Sequence, residues 1–284
     1  MSAYRFCRTD DIGLLVEALN RCWAPYFPDE PPMTPTAFKR SIRDLQVWCS
    51  SCMVAFSGPD PIGVLIGAKR PSGTLVHKIA VHPDHRRQGH ARHLLASLSS
   101  KLAILGPPRI VAEVPETLAP ACGLFRASGY VQESVLTDYV LPRDENGQTQ
   151  THRQAPVDTF LIPVTVDELA ANDLLEGQQT CWERSVETLM ARKEEIAGLA
   201  IASDERIEAY LLCSEDREIL SLRSFTENGE THLRELLSRV RARGTRGFRF
   251  PKVHQEEISR ECLETLGFRP AGVQFQYTAR ARSD

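Results

Sequence analysis

No run of about 18 apolar residues occurs in this 284-residue chain, which excludes a membrane-spanning helix. Its first residues, MSAYRFCRTDDIG, lack the apolar segment that a secretory signal needs. There is no large excess of either charge: 34 Lys+Arg against 37 Asp+Glu leave −3, which argues against a nucleic-acid partner. Eight cysteines are too few for a disulfide scaffold of this length and read as reduced thiols in a cytoplasmic protein. With 42% hydrophobic and 25% charged residues, disorder and collagen are excluded as well.

What is present points to two domains, since a domain takes roughly 150 residues. The polar stretch 143–157 has no apolar period and reads as a linker. It separates a domain over 1–142 from one over 158–284. Residues 1–145 carry 16 Lys+Arg and 14 Asp+Glu, a sum of +2; the rest carry 18 and 23, a sum of −5. An anionic ligand is therefore expected in the first half.

In the first half, Tyr4 to Arg8 alternates as a strand, and Thr9-Asp10-Asp11 offers cap chemistry for a helix through about Cys22. A proline- and aromatic-rich loop to Pro35 precedes a helix over about 36–44. Strands are expected over 52–57, 62–69 and 75–81. Next comes a helix with Ala91, Leu94, Leu95, Leu98 and Leu102 on its apolar face, then a strand over 109–114. A helix over 119–128 ends at Gly129, and strand residues follow over 131–141. The second half repeats this order: a strand over 161–164, a helical part over 166–192, strands over 198–202, 207–213 and 219–225, a helix over 231–243, a strand over 248–253, a helix over 255–266 and a strand over 273–279. Gly267-Phe268 answers Gly129-Tyr130. A repeat of about 140 residues means two copies of one domain, not a solenoid.

The most informative stretch is Val76-His77-Lys78-Ile79-Ala80-Val81-His82-Pro83-Asp84-His85-Arg86-Arg87-Gln88-Gly89-His90-Ala91-Arg92. A strand ends at Val81, an Arg-x-x-Gly-x-Ala turn follows, and an apolar helix begins near His90. Small residues at 89 and 91 let a ligand approach the backbone, and the first helical turn offers unpaired N–H groups to a phosphate.

The Ile-Ala-Val-x-Pro-x-x-Arg-Arg-x-Gly-x-Ala run before an apolar helix resembles the acetyl-CoA motif of the GCN5-related N-acetyltransferase (GNAT) family. The element order extends the resemblance across the first half and, by topology, into the second. It implies an α/β protein of two tandem GNAT-like domains, each a mixed, mostly antiparallel sheet flanked by helices. It implies acetyl-CoA as acyl donor, with Ile79, Ala80 and Val81 along the pantetheine arm and Arg86, Arg87, Gln88, Gly89, His90, Ala91 and Arg92 around the pyrophosphate. The implied activity is acetyl transfer to a primary amine of an acceptor that the sequence does not select; the alternative is a catalytically inactive CoA-binding or regulatory module. The family's tyrosine on the helix before Gly129 is here Phe125, and its common asparagine is Leu118. Glu113 is the first candidate for base, with His77 and Tyr139 behind it; each also has a purely structural reading.

His82/His85 and His90/His93 are spaced as His-x-x-His pairs but lack a cysteine or carboxylate set nearby, so no metal is expected. Cys49-Ser50-Ser51-Cys52 precedes a strand rather than opening a helix, so it reads as two unrelated thiols. Trp23, Tyr26 and Phe27 either hold the acceptor or cover the core beneath their loop. In the second half, Thr226-Glu227-Asn228-Gly229-Glu230-Thr231 stands where the anion loop should be. Its carboxylates predict no CoA site there, and Leu263 takes the tyrosine position. A second copy that covers the first favours a monomer, with a dimer through another surface as the alternative.

Overall fold

The computed structural model describes residues 2–143, 159–227, 229–242 and 247–282. The chain forms two compact units, Met1–Ser134 with Phe275–Asp284, and Val135–Gln274. The division read from composition lies elsewhere, because burial rather than linker polarity sets the units. Phe275 and Tyr277 pack into the first unit's core, whereas Tyr139 and Leu141 pack into the second's. The expected linker, apart from Arg143, falls outside the described residues.

The first unit runs β1 (Ser2–Phe6), α1 (Ile12–Cys22), α2 (Pro35–Leu45), β2 (Met53–Ser57), β3 (Asp60–Arg70), β4 (Gly73–Val81), α3 (His90–Leu105), β5 (Arg109–Pro115), α4 (Ala119–Ala127) and the start of β6 (Val131–Leu141). β1 to β4 pair antiparallel in order, and β5 lies parallel to β4. Asp11 makes no side-chain cap on α1. Its carboxylate instead takes the Arg8 N–H and the Arg5 guanidinium, both at 2.8 Å, which fixes the turn before the helix. α2 begins with Pro35 at its first position and Thr34 accepting from Ala37 N–H at 3.1 Å. Leu94, Leu95, Leu98 and Leu102 of α3 pack on Ala55, Leu65, Val76 and Ile110 of the strands. That burial holds the start of α3 against the end of β4.

The second unit continues with β7 (Phe160–Val164), α5 (Val166–Ala171), α6 (Val186–Ala191), β8 (Ile196–Ala202), β9 (Ile207–Ser214), β10 (Ile219–Ser224), α7 (Gly229–Ala242), β11 (Phe248–His254), α8 (Arg260–Thr265) and the start of β12 (Arg269–Arg280), whose residues from Phe275 on belong to the first unit. β7 to β10 form an antiparallel sheet. Alternate residues face opposite sides: Leu199, Ile201 and Leu211 meet α7, while Ala200, Tyr210 and Leu212 meet α5 and α6. The helical part expected over 166–192 is two short helices. Asp173 and Gly177 adopt φ of +57° and +77° between them, and Ser185 starts α6 afresh as its N-cap. The helix expected over 255–266 is likewise confined to α8, whose N-cap Ser259 accepts from Cys262 N–H at 3.2 Å. Both units end the helix before their last strand in one way. Gly129 (φ +81°) and Gly267 (φ +91°) turn the chain, and Tyr130 and Phe268 N–H reach back to Phe125 and Leu263 C=O at 3.1 and 2.9 Å.

Candidate acyl-donor site

Strand β4 pairs with β5 at Thr74–Ile110 and Leu75–Val111, near the start of both strands. Along β3 its register slips by one residue: Ile66 faces Lys78 but Gly67 faces Val76, so His77 is the extra residue of a β-bulge. The bulge brings Val76 and Ile79 onto the face that packs with α3. His82 N–H closes the pairing with β3 on Ile62 C=O at 2.9 Å. The opposite edge of the strand carries Val81 C=O, which accepts from the Tyr26 hydroxyl at 2.6 Å.

Eight residues, 82–89, lead from β4 into α3. Pro83–His85 make one 3-10 turn. Arg87 (φ +62°) and Gly89 (φ +85°) are then both left-handed, the alternation that turns successive backbone N–H groups inward. Gly89 is the N-cap of α3 and supplies no side chain to it. The first helical bond is His93 N–H to Gly89 C=O at 3.0 Å, so the amides of His90, Ala91 and Arg92 precede the ladder. They lie at the positive end of a 16-residue helix, with the exposed Arg86, Arg87 and Arg92 around them. A ligand with several phosphate charges fits this donor set.

The place of His90 at the ligand-facing start of α3 suggests an exposed ring, but the ring is buried. It is 6% exposed and shares a 2.6 Å hydrogen bond with the Tyr4 hydroxyl. Burial, then the neighbouring His85 and His93, lower its pKa. His93 is exposed, with its ring centroid 3.8 Å from that of Tyr4. The first helical turn is thus anchored on β1, a link that sequence order does not reveal.

Of the candidate bases, Glu113 is half-buried on β5 and His77 is half-buried in the bulge, so both belong to the two strands that part. Tyr139 lies elsewhere: it is buried in the core of the second unit with Leu141, Phe248 and Phe250. Phe125 is buried and stacks on Tyr277 at 5.9 Å, an apolar contact that a phenol is not needed for. Leu118 stands at the N-cap of α4. Cys49 and Cys52 flank a 3-10 turn before β2, both buried, and burial raises both thiol pKa values.

The loop between α1 and α2 stands against β4. Trp23 and Phe27 stack at 4.5 Å. The Lys78 ammonium lies 4.0 Å from the Trp23 ring centroid and 3.6 Å from Glu30 Oε2, and Trp23 Nε1–H donates to that same oxygen at 3.0 Å.

The second unit repeats the bulge without the loop. Ile219 faces Cys213 and Ser221 faces Leu212, so Leu220 is the extra residue of β10. β10 meets β11 at the Glu218–Arg249 bridge. Just beyond that bridge the Arg184 guanidinium spans the strands, donating to Leu220 C=O at 3.2 Å and Lys252 C=O at 3.0 Å. Glu257 accepts two further bonds from it at 2.6 Å, and both side chains are essentially buried. Only four residues, 225–228, separate β10 from α7. A cavity of about 360 Å³ lies near, lined by Arg223, Ser224, Gly229, Glu230 and Glu256 among others.

Residues 14–130 match the model of the Acetyltransferase (GNAT) family. The whole chain superposes on a tandem GNAT protein from the clavulanic acid biosynthesis pathway with a TM-score of 0.67 at 18% identity, covering 100% of both chains. It is also similar to a GCN5-related N-acetyltransferase from Sphaerobacter thermophilus, TM-score 0.70 at 14% identity, over 99% of this chain and 96% of that one. A third similar structure is that of a protein from Pyrococcus horikoshii, TM-score 0.63 at 14% identity, over 99% and 90%. Residues 14–130 are thus matched by the GNAT acetyltransferase family, and over its whole length the chain has the fold of a tandem GNAT protein.

Proposed function

We propose that the first unit binds acetyl-CoA along β4 and the loop 86–92 and transfers its acetyl group to a primary amine. The family match implies acyl transfer from an acyl-CoA; acetyl as the group and an amine as the acceptor are our reading. The observation that carries it is the edge of β4 beyond Leu75, past its pairing with β5, followed by the loop 82–89, which brings two left-handed residues to an N-terminus of α3 without a side-chain cap. Backbone at Ile79, Ala80 and Val81 runs beside the pantetheine arm, and the amides from Arg87 to Arg92 hold the pyrophosphate.

The thioester is already activated, so the chain must align two reactants and manage one proton. An amine of pKa about 10.4 is mostly charged at neutral pH, and freeing its lone pair costs roughly 4–5 kcal/mol. Glu113 takes that proton, directly or through a water, with His77 in the bulge as the other acceptor on these strands. Strand amides polarise the thioester carbonyl. Thiolate is a good leaving group, so the absence of a phenol at Phe125 is compatible with transfer.

Phe125 and Leu118 also favour a second reading, an inactive CoA-binding module. Incubation with acetyl-CoA and a panel of primary amines, following CoA release, separates the two. Amine-dependent release is expected; acetyl-CoA binding without release from any amine would establish the inactive module instead.

A further inference from the structure

We propose that Lys78 is a positioning residue for the acceptor side of the site, an internal cation that clasps the α1–α2 loop to strand β4. The inference rests on the acyl-transfer reading above. Ring, carboxylate and ammonium form a closed triangle. The Glu30 carboxylate holds the indole edge through Trp23 Nε1–H, the indole face holds the Lys78 ammonium at 4.0 Å, and ammonium and carboxylate attract at 3.6 Å. Two corners belong to the loop, and the third belongs to β4, directly before Ile79. The Lys78 side chain is 17% exposed, and a cation over an aromatic face binds more strongly as water is withdrawn.

The loop needs such a fastening. Pro25, Pro28, Pro31 and Pro32 deprive it of backbone donors. Its stem is closed by the Asn20 side chain, which donates to Met33 C=O at 2.9 Å and accepts from Met33 N–H at 2.7 Å. On the β4 side the loop is held by this triangle and by the Tyr26 hydroxyl on Val81 C=O. Lys78 therefore sets where Tyr26, Trp23 and Phe27 stand over the strand that carries the acyl donor.

A receptor for a free amine would look different. The cavity among Leu19, Trp23, Phe27, Met33 and Lys78 measures about 30 Å³, room for about two waters. The ammonium held there is tethered to the chain, so the triangle acts as a clasp and the acceptor lies beyond it. The second unit ties its own loop from the corresponding strand in a similar way. There Arg223 of β10 donates to Leu174 and Glu176 C=O at 3.0 and 2.7 Å.

The test compares Lys78→Met, which keeps the length of the side chain but not its charge, with Lys78→Arg. In the full-length protein, Lys78→Met should raise amide hydrogen exchange over residues 23–34. It should also raise KM for the best acceptor amine about tenfold while leaving the acetyl-CoA Kd within twofold. Lys78→Arg should restore both, and Glu30→Gln should act in the direction of Lys78→Met. Unchanged exchange in Lys78→Met would overturn the clasp; raised exchange with unchanged KM would overturn its role toward the acceptor. Failure of the wild type to acetylate any amine would refute the acyl-transfer reading itself, and is recognised separately because it does not depend on residue 78.

Discussion

Replacing Glu257 by glutamine should be among the most damaging single changes in the second unit. The carboxylate and the Arg184 guanidinium meet through two bonds of 2.6 Å, with side chains 0% and 1% exposed. Burial by itself would lower the Arg184 pKa; Glu257 reverses that and holds it above the usual value. A carboxamide keeps the shape and an acceptor oxygen but removes the compensating charge. Removing one partner of a buried ion pair costs about 3–5 kcal/mol, because the other charge stays out of water. The second unit spans 140 residues, 135–274. At about 2.1 cal/mol/K per residue its unfolding entropy is about 0.3 kcal/mol/K, so the loss corresponds to a Tm lower by about 10–17 °C. Circular dichroism melting or calorimetry would measure it. The double variant Arg184→Met, Glu257→Leu removes both charges and should recover most of the loss. A Glu257→Gln protein melting within about 3 °C of wild type would refute the reasoning, since it would mean that the guanidinium finds water between β10 and β11.

Tyr4→Phe strips the buried His90 of its hydrogen bond. It should cost about 1–3 kcal/mol, read by chemical denaturation, and should weaken acetyl-CoA binding by loosening the first turn of α3. Glu113→Gln should lower turnover far more than acetyl-CoA affinity and change the acidic limb of the pH–rate profile; wild-type turnover would move the base to His77 or a water. Burial pushes the Cys7 and Cys22 thiols from 9.0 up to about 12 and about 11. Above pH 9 the unfolded chain therefore releases protons that the folded one keeps. Stability from this source is complete below pH 9 and falls as pH rises toward 11–12. The fall is about 1.4 kcal/mol per thiol at the first unit above pH 9. Urea titrations at pH 8 and 10 should show it, and Cys7→Ala with Cys22→Ala should flatten the difference.

Much of this fold is written locally. Strand–loop–helix order, the Arg-x-x-Gly-x-Ala turn and the glycines at 129 and 267 all follow from period and backbone freedom, and the structure places them accordingly. What was not legible depends on partners far apart in sequence. Arg184 and Glu257 are 73 residues apart, and nothing around Trp182-Glu183-Arg184 marks a buried cation. His90 reads as an exposed or ligand-facing residue at the start of a helix until Tyr4, 86 residues earlier, is seen to hold it. The bulges at His77 and Leu220 are register slips against β3 and β9, which no property of β4 or β10 alone discloses. The break between α5 and α6 had a readable signal: Ser185 with Thr188 N–H three residues on is N-cap chemistry inside what periodicity alone treats as one helical part.

Whether the acyl donor is held by the first unit alone is decided most directly by isothermal titration of CoA into the full-length chain and its Gly89→Glu variant. A β-carbon at position 89 would meet open space, but φ there is +85°, so the substitution combines backbone strain with a negative charge at the start of α3. In the second unit the gap beyond the Glu218–Arg249 bridge is already taken by Arg184, and Glu227 and Glu230 flank the start of α7. One site per chain is expected, lost in a Gly89→Glu protein whose circular dichroism spectrum is unchanged. Two sites, or one site that survives the substitution, would contradict it.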